Sequence, residues 1–226
     1  MAQNKEELLK QRILSVVDDL SVDWIKEKFD EFSRLMTYYR CAMMEIETKF
    51  NVLNEEYSLA HDRNPISAIK TRLKSFPSIN EKLMRKGADN SIDSIEKNIN
   101  DIAGVRVICS FPDDVYELAE ALLKQDDIEL IEQKDYIKNP KPNGYRSLHI
   151  IVGIPIFLAH EKRVMKVEIQ LRTIAMDFWA SLEHQLRYKK DTTFTKEMAN
   201  ELSLCAEMSA ELDNKMDKLR RKVLKK

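Results

Sequence analysis

The sequence predicts an α/β (α+β) fold, in which long N- and C-terminal helices flank a central β-sheet. Apolar residues recur every three or four positions at both ends of the 226-residue chain and every second position in the middle. With 43% hydrophobic residues, 33% charged residues and a net charge of -1, the composition is that of a globular protein rather than a disordered or membrane protein. A chain of this length can bury enough apolar surface to fold without disulfides or a metal.

Both ends of the chain are predicted to be helical. Apolar residues spaced alternately by four and three, from Ile25 to Tyr57, predict one helix of about ten turns. Leu9 to Leu20 predict a shorter helix before it, and Ser21 is the expected N-cap of the longer one. A similar spacing from Met198 to Val223 predicts the C-terminal helix.

The middle of the chain is predicted to form strands joined by helices. Pro112 opens a helix that runs toward Lys124, and a second helix is expected from Ile174 to Lys189. Residues 138–144 (KNPKPNG) are the most turn-rich stretch. A period of two predicts strands over residues 105–111, 128–135, 145–154 and 164–171.

Composition also limits the compartment and the partners. Cys41, Cys109 and Cys205 are far apart and form no CxxC pair, so we expect free thiols and a reduced, cytoplasmic location. We expect no signal peptide and no membrane span. The balanced charge argues against a protein that coats DNA, so phosphate binding must come from local basic clusters.

A basic cluster lies in residues 63–86. Ser78 and Glu81 form an S-x-x-E capping box, which predicts a helix N-terminus facing Arg72 and Lys74, as in a phosphate cradle. The alternative is a capped surface helix with solvated charges. The cluster comprises Arg63, Lys70, Arg72, Lys74, Lys82, Arg85 and Lys86.

Two carboxylates belong to neighbouring predicted strands. Asp101 precedes the strand that carries Arg106, while Glu168, Gln170 and Arg172 share one face of the VEIQLR strand. Two carboxylates facing one cleft suit Mg²⁺, which takes one or two protein carboxylates plus substrate phosphates. A solvated sheet face with salt bridges is the alternative.

Tyr145 and His149 share a strand face directly after the Pro/Gly loop. Tyr145 can stack on a base and His149 can donate to a phosphate, although a packed edge pair is the other interpretation. The chain contains neither GxxxxGK nor GxGxxG, which excludes a P-loop and a Rossmann phosphate turn.

Four segments of the chain are informative when taken together: RLKSFPSINEKLMRK (72–86), DIAGVRVICSF (101–111), GYRSLHIIV (144–152) and VEIQLRTIAMDFWASLEHQLRYK (167–189). They resemble the RelA/SpoT synthetase family, in the order and spacing of its small, single-domain alarmone synthetases. The resemblance covers roughly residues 20 to 215. It implies a mixed-sheet, nucleotidyltransferase-like palm that moves pyrophosphate from ATP onto the ribose 3′-hydroxyl of GTP or GDP, giving (p)ppGpp and AMP.

The resemblance also implies the site residues. Asp101 and Glu168 bind Mg²⁺, and Glu168 takes the proton of the attacking hydroxyl. Tyr145 stacks on guanine, and Asp177 accepts from the guanine N1 and N2 hydrogens. On the ATP side, Arg72 and Arg106 sandwich adenine, while Lys74, Ser78, Lys82 and Arg85 hold the phosphates. On the acceptor side, His149, Gln170, Lys134 and Lys141 position the ribose and phosphates.

We expect one structural domain, with N-terminal helices in 1–60, the catalytic core in 61–190 and a C-terminal helix in 191–226 that contacts other subunits. A homotetramer is the expected assembly. Two alternatives stay open. One is a toxic synthetase that makes adenosine alarmones or pyrophosphorylates tRNA, which Asp177 and the near-zero charge disfavour. The other is a catalytically silent nucleotide-binding interaction protein.

Overall fold

The computed structural model describes the backbone of residues 2–61, 63–187 and 194–223, and the side chains of residues 26–59, 63–187 and 194–223. These residues form a mixed α+β structure, which confirms the predicted class. The helices are α1 (Ala2–His61), α2 (Phe76–Lys86), α3 (Ile92–Asn98), α4 (Pro112–Leu123), α5 (Ile174–Arg187) and α6 (Lys196–Val223). The strands are β1 (Ile66–Leu73), β2 (Ala103–Cys109), β3 (Glu129–Asp135), β4 (Leu148–Phe157) and β5 (Lys162–Thr173).

The five strands form one sheet in the order β1-β2-β5-β4-β3. β2 and β5 run parallel, and the other neighbouring pairs run antiparallel. β5 is therefore the central strand, with β2 on one side and β4 on the other. Because successive side chains point to opposite faces, the central strand β5 contributes one apolar row and one polar row.

The apolar face of the sheet carries the hydrophobic core. On β5, Val167, Ile169 and Leu171 are buried, whereas Glu168 and Gln170 between them are only partly buried. α1 and α4 contact this sheet and supply further core residues. The α1 stripe predicted from the sequence is buried at Tyr39, Met43, Ile46, Phe50 and Leu53.

The prediction of two N-terminal helices is wrong, because α1 continues through Ser21 without a break. Its 60 residues contain no proline and no glycine, so nothing interrupts the backbone hydrogen bonds. The side chains of the predicted series Leu9 to Leu20 lie outside the described residues, as does the expected helix end at Lys189.

Two elements near the basic cluster differ from the prediction. Residues 66–73 form β1, an edge strand that the sequence analysis did not identify. α2 begins at Phe76 rather than at Ser78, because extended Ser75 precedes it and Pro77 occupies its first turn. Proline is favoured at that position, where its missing N–H is not needed.

The C-terminal helix α6 packs on α5 through a short buried face that contains Ala206, Asp213 and Asp217. Thr173 donates a hydrogen bond to Asp213 and accepts one from the backbone N–H of Met176, and so joins α6 to the start of α5. Burial raises the pKa of Asp213. In the part of the chain that the structure describes, no helix is long and apolar enough to cross a membrane.

Candidate active site

A single row of polar side chains crosses the whole sheet. Strand pairing places Lys70 opposite Arg106, Arg106 opposite Gln170, Gln170 opposite His149, and His149 opposite Lys134. Directly opposed residues point to the same face. Four of these five residues are predicted site residues, and the register brings them together from separate parts of the chain.

The neighbouring row contains Arg72, Gly104 and Glu168 in the same strand order. Gly104 has no side chain, so open space remains between Arg72 and Glu168. A cavity of about 270 Å³ occupies this region and is lined by Asp101, Lys74 and residues of both rows. A larger groove of about 1220 Å³ between α1 and α3 is lined by none of the predicted site residues, so it is not the catalytic candidate.

Asp101 lies between two lysines at the edge of this cavity. Lys74 Nζ is 2.9 Å from one carboxylate oxygen, and Lys82 Nζ is 2.8 Å from the other. Burial works to raise the pKa of Asp101, but the hydrogen bonds and charges of Lys82 and Lys74 outweigh it and leave this pKa below its usual value. Asp101 is therefore ionised at neutral pH.

Glu168 is the second carboxylate of the cavity. Gln170 Nε2 donates to its Oε2 at 3.0 Å, and His149 Nδ1 lies 3.4 Å from its Oε1. Burial and the nearby Asp101 charge act to raise the pKa of Glu168, yet His149 and Gln170 hold it below its usual value. The hydrogen bonds from His149 and Gln170 therefore favour the ionised form of Glu168.

The remaining residues predicted for the donor nucleotide occupy the same side of the sheet. Arg72 is exposed and Arg106 half-buried, and both line the cavity. Ser78 Oγ lies 3.0 Å from Ser75 Oγ in the first turn of α2. Arg85 is exposed on α2 and does not line the cavity.

Tyr145 occupies the other side of the site. Its ring packs on the small cluster formed by Trp179, Ala180 and Ala206. The Lys141 ammonium lies 4.9 Å from the centre of the Tyr145 ring, within reach of a cation–π contact. Lys134 is exposed and pairs with Glu132 at 2.7 Å.

Gly144 explains how the loop meets α6. Its φ is +87°, and a Cβ at this position would lie 2.5 Å from the Ala206 Cβ. Only glycine combines this conformation with so close an approach. The contact fixes the loop that ends at Tyr145 against the C-terminal helix.

Asp177 is almost fully buried among three cations. Lys70 Nζ lies 3.1 Å from one of its oxygens, and Arg106 and Arg172 lie 3.2 and 3.3 Å from the other. Burial and repulsion from Arg172 lower the pKa of Arg106, and attraction to Asp177 partly offsets them. Asp177, predicted to contact guanine, therefore forms an ion pair with Arg106, predicted to stack on adenine.

Arg172 and Lys70 are structural members of the site to which the sequence analysis gave no role. The alternation of VEIQLR did place Arg172 on the polar face, but its partners depend on residues far away in the sequence. Lys70 was counted only as part of a basic cluster. Its place in the row depends on β1, whose period of two was hidden by the charged residues of that cluster.

Comparisons with known proteins agree on one group. Residues 71–193 match the family described as the region found in RelA / SpoT proteins. The chain is 44% identical to GTP pyrophosphokinase YwaC of Bacillus subtilis over 208 residues, which cover 91% of this chain and 99% of that protein. The crystal structure of small alarmone synthetase 2 from Bacillus subtilis has a TM-score of 0.76 at 44% identity, covering 84% of this chain and 98% of that one. Small alarmone synthetase 1 from the same organism, bound to its product pppGpp, has a TM-score of 0.78 at 35% identity, covering 85% and 98%.

The Gly144 contact leads to a stability prediction. Gly144→Ala should destabilise the protein by about 1–2 kcal/mol for the left-handed backbone and by about 1–3 kcal/mol more for the forced contact with Ala206. Gly87→Ala is the matched control, because Gly87 has a φ of +64° but open space around it. Urea denaturation gives the two free energies of unfolding.

Ala206→Gly should rescue only the steric part of the Gly144→Ala loss, which a double-mutant cycle isolates. Equal losses for Gly144→Ala and Gly87→Ala, with no coupling to Ala206, would show that the loop and α6 do not meet as described.

Proposed function

The chain belongs to the RelA/SpoT family, and we propose on that premise that it is a GTP pyrophosphokinase. It transfers pyrophosphate from ATP to the ribose 3′-hydroxyl of GTP or GDP, which gives (p)ppGpp and AMP. The relatives named for this activity align along most of the chain. The reaction takes place in the cytoplasm, where both nucleotides are available and the three free cysteines stay reduced.

The division of the polar face into two halves carries this proposal. The donor residues Arg72 and Arg106 belong to β1 and β2, whereas the acceptor residues His149 and Lys134 belong to β4 and β3. Glu168 lies on β5, the strand between the two halves. A carboxylate at this boundary is within reach of both substrates of a group transfer, as catalysis by proximity requires.

The donor half suits ATP. Arg72 and Arg106 present planar guanidinium groups, which can stack on the two faces of adenine. Ser78 lies in the first turn of α2 and Lys74 just before the helix, where free backbone N–H groups add to the attraction for phosphate. Lys82 lies one turn after Ser78 and adds a further positive charge. Arg85, one turn further along α2, completes the basic side of this half.

The donor set at the boundary fits Mg²⁺. Asp101 and Glu168 are both carboxylates with lowered pKa and both line one cavity. No group of three or more potential metal ligands occurs among the described side chains, which agrees with an ion that takes its other ligands from substrate phosphates and water. Bound there, Mg²⁺ would neutralise charge on the transferred group.

The acceptor half suits a guanine nucleotide. Tyr145 offers an aromatic face for the base, and Asp177 offers a carboxylate for the guanine N1 and N2 hydrogens. His149 and Gln170 lie between this base site and Glu168, where they can contact the ribose. Lys134 and Lys141, both exposed, reach the acceptor phosphates.

Glu168 accepts the proton of the attacking 3′-hydroxyl. Its ionised state at neutral pH leaves it ready to do so, and each of its oxygens keeps a lone pair beyond the one that faces His149 or Gln170. The lysines that neutralise Asp101 in the free protein can exchange that partner for triphosphate oxygens.

The assembly we propose is a homotetramer. The apolar stripe predicted on α6 does not face its own core: Met198, Leu212, Met216, Leu219 and Val223 are each about half exposed or more. α5 carries a second exposed stripe of four apolar residues. Such surface is large for a monomer and suits burial against another copy. The second stripe consists of Ile174, Phe178, Leu182 and Leu186.

Replacement of either boundary carboxylate tests the catalytic assignment. Asp101→Asn and Glu168→Gln should each lower turnover about 10²-fold or more, because charge stabilisation or proton transfer is lost. Glu129→Gln is the matched control, since Glu129 is an exposed carboxylate of the same sheet outside the cavity. The assay supplies labelled ATP and Mg²⁺ with GTP, GDP, GMP, ATP or tRNA as separate acceptors.

Wild-type turnover with GTP or GDP, together with inactive Asp101 and Glu168 variants, is the expected result. If turnover occurred only with ATP or tRNA, that molecule and not a guanine nucleotide would be the acceptor. Near wild-type activity of either carboxylate variant would contradict the two-carboxylate site.

The assembly is checked separately by light scattering. At micromolar concentration the wild type should have a mass close to four times the 26.5 kDa of one chain. Leu212→Glu should lower the mass, because it places a charge in an apolar contact, whereas Lys215→Glu on the same helix should not. A wild-type mass of one chain would contradict the tetramer and leave the catalytic proposal standing.

A further inference from the structure

Arg172 is a buried cation that the proposed reaction does not use. Only 4% of the residue is exposed, and it lies at the end of the polar face of β5. Its NH1 donates to Asp177 at 3.3 Å. Its NH2 donates to two acceptors, the hydroxyl of Tyr145 at 2.6 Å and Oε1 of Gln170 at 2.8 Å. One guanidinium nitrogen thus supplies both of its hydrogens to side chains of the acceptor half.

Both of these contacts continue to the carboxylate of Glu168. In the first arm, Gln170 connects Arg172 directly to Glu168, because Nε2 of Gln170 donates to Oε2 of Glu168 at 3.0 Å. The Tyr145 hydroxyl lies 2.8 Å from His149 Nε2, and His149 Nδ1 lies 3.4 Å from Oε1 of Glu168. Two arms therefore start at one nitrogen of Arg172 and end on the two different oxygens of Glu168.

The chemistry at the two ends fixes the direction of both arms. A guanidinium can only donate hydrogen bonds, and a carboxylate can only accept them. Gln170 must therefore turn its oxygen to Arg172 and its nitrogen to Glu168. On the other arm, Tyr145 accepts from Arg172 and passes its own hydrogen to His149 Nε2, so the proton of a neutral His149 ring belongs on Nδ1.

The other tautomer of His149 fits this arrangement poorly. A proton on Nε2 would point the Nδ1 lone pair at the Glu168 carboxylate and leave the Tyr145 hydrogen without its acceptor. The tautomer with the proton on Nδ1 satisfies every hydrogen-bonding group in the arm.

We propose that Arg172 is a positioning residue, which aims the carboxylate of Glu168 through the Gln170 arm and the Tyr145–His149 arm. The proposal rests on the proposed function, because it takes Glu168 as the group that receives the hydroxyl proton. Each carboxylate oxygen accepts from one arm and keeps its second lone pair, which leaves one oxygen for Mg²⁺ and the other for the substrate hydroxyl. The Tyr145 hydroxyl thereby acts on turnover, separately from the aromatic ring that binds the base.

Tyr145→Phe isolates the hydroxyl. The ring and its packing against Trp179 and Ala206 remain, so the acceptor KM should stay close to that of the wild type. Because the second arm is cut, kcat should fall about tenfold or more, as is usual when a residue that orients a catalytic side chain is lost. Tyr38→Phe is the matched control. Tyr38 lies on α1, behind the sheet, and the substitution removes a hydrogen bond of 2.7 Å from its hydroxyl to the Glu161 carboxylate.

The tautomer of His149 gives a readout that does not depend on activity. Long-range ¹H–¹⁵N spectra of the free protein, with His149 assigned through His149→Asn, should show the proton on Nδ1. Tyr145→Phe and Arg172→Lys should both shift the ring toward the Nε2-protonated form that predominates in water. Arg172→Lys should also lower kcat, because an ammonium cannot hold both arms in the fork geometry of a guanidinium.

The Nε2-protonated tautomer in the wild type would overturn the proposal. An unchanged kcat in Tyr145→Phe, or an equal loss in Tyr38→Phe, would overturn it as well. A wild type that shows the Nδ1 form but makes no (p)ppGpp would instead refute the proposed function, so the two failures are distinguishable.

Discussion

The register of β5 against its two neighbours is the constraint on which the site depends. β5 pairs in parallel with β2 and antiparallel with β4, and this pairing brings Gln170 level with Arg106 on one side and His149 on the other. A slip of one residue in either pairing would turn Glu168 and Gln170 into the core and expose Val167 and Ile169. The apolar face therefore enforces the position of the polar face, since burial of the core is what opposes such a slip.

The helices complete the site in different ways. α2 brings Lys82 to Asp101, and α5 brings Asp177 to the arginines of β2 and β5. α6 holds the Gly144 loop from behind and so fixes where Tyr145 can lie. The C-terminal helix thus has two separate faces, one that supports the acceptor half and one that is left apolar and exposed.

The sequence predicted the family and most of the secondary structure, but little of the geometry of the site. Strands β2 to β5 and helix α6 followed from periodicity, and helix α4 followed from the start signal at Pro112. Asp101, Glu168, Arg72 and Tyr145 were assigned from a resemblance whose family the comparisons confirmed, and their roles stay predictions. β1 was missed because Lys70, Arg72 and Lys74 looked like a basic patch, although they alternate with Ile69, Thr71 and Leu73. Strand order, the row across the sheet and the two arms from Arg172 could not be predicted, because they depend on pairing between distant segments. For α6 the periodicity predicted the helix and its apolar stripe correctly. It could not predict whether that stripe packs against the core of its own subunit or stays exposed.

The central claim is that the two halves of the polar face bind different nucleotides. Isothermal titration of a non-hydrolysable ATP analogue and of GDP into Arg72→Ala and Tyr145→Ala measures this directly. Loss of one stacking partner is worth about 1–3 kcal/mol, or roughly 5- to 150-fold in affinity. Arg72→Ala should lose that affinity for the ATP analogue and keep GDP binding, and Tyr145→Ala should do the reverse. If both variants weakened both ligands equally, the division of the sheet into donor and acceptor halves would be wrong.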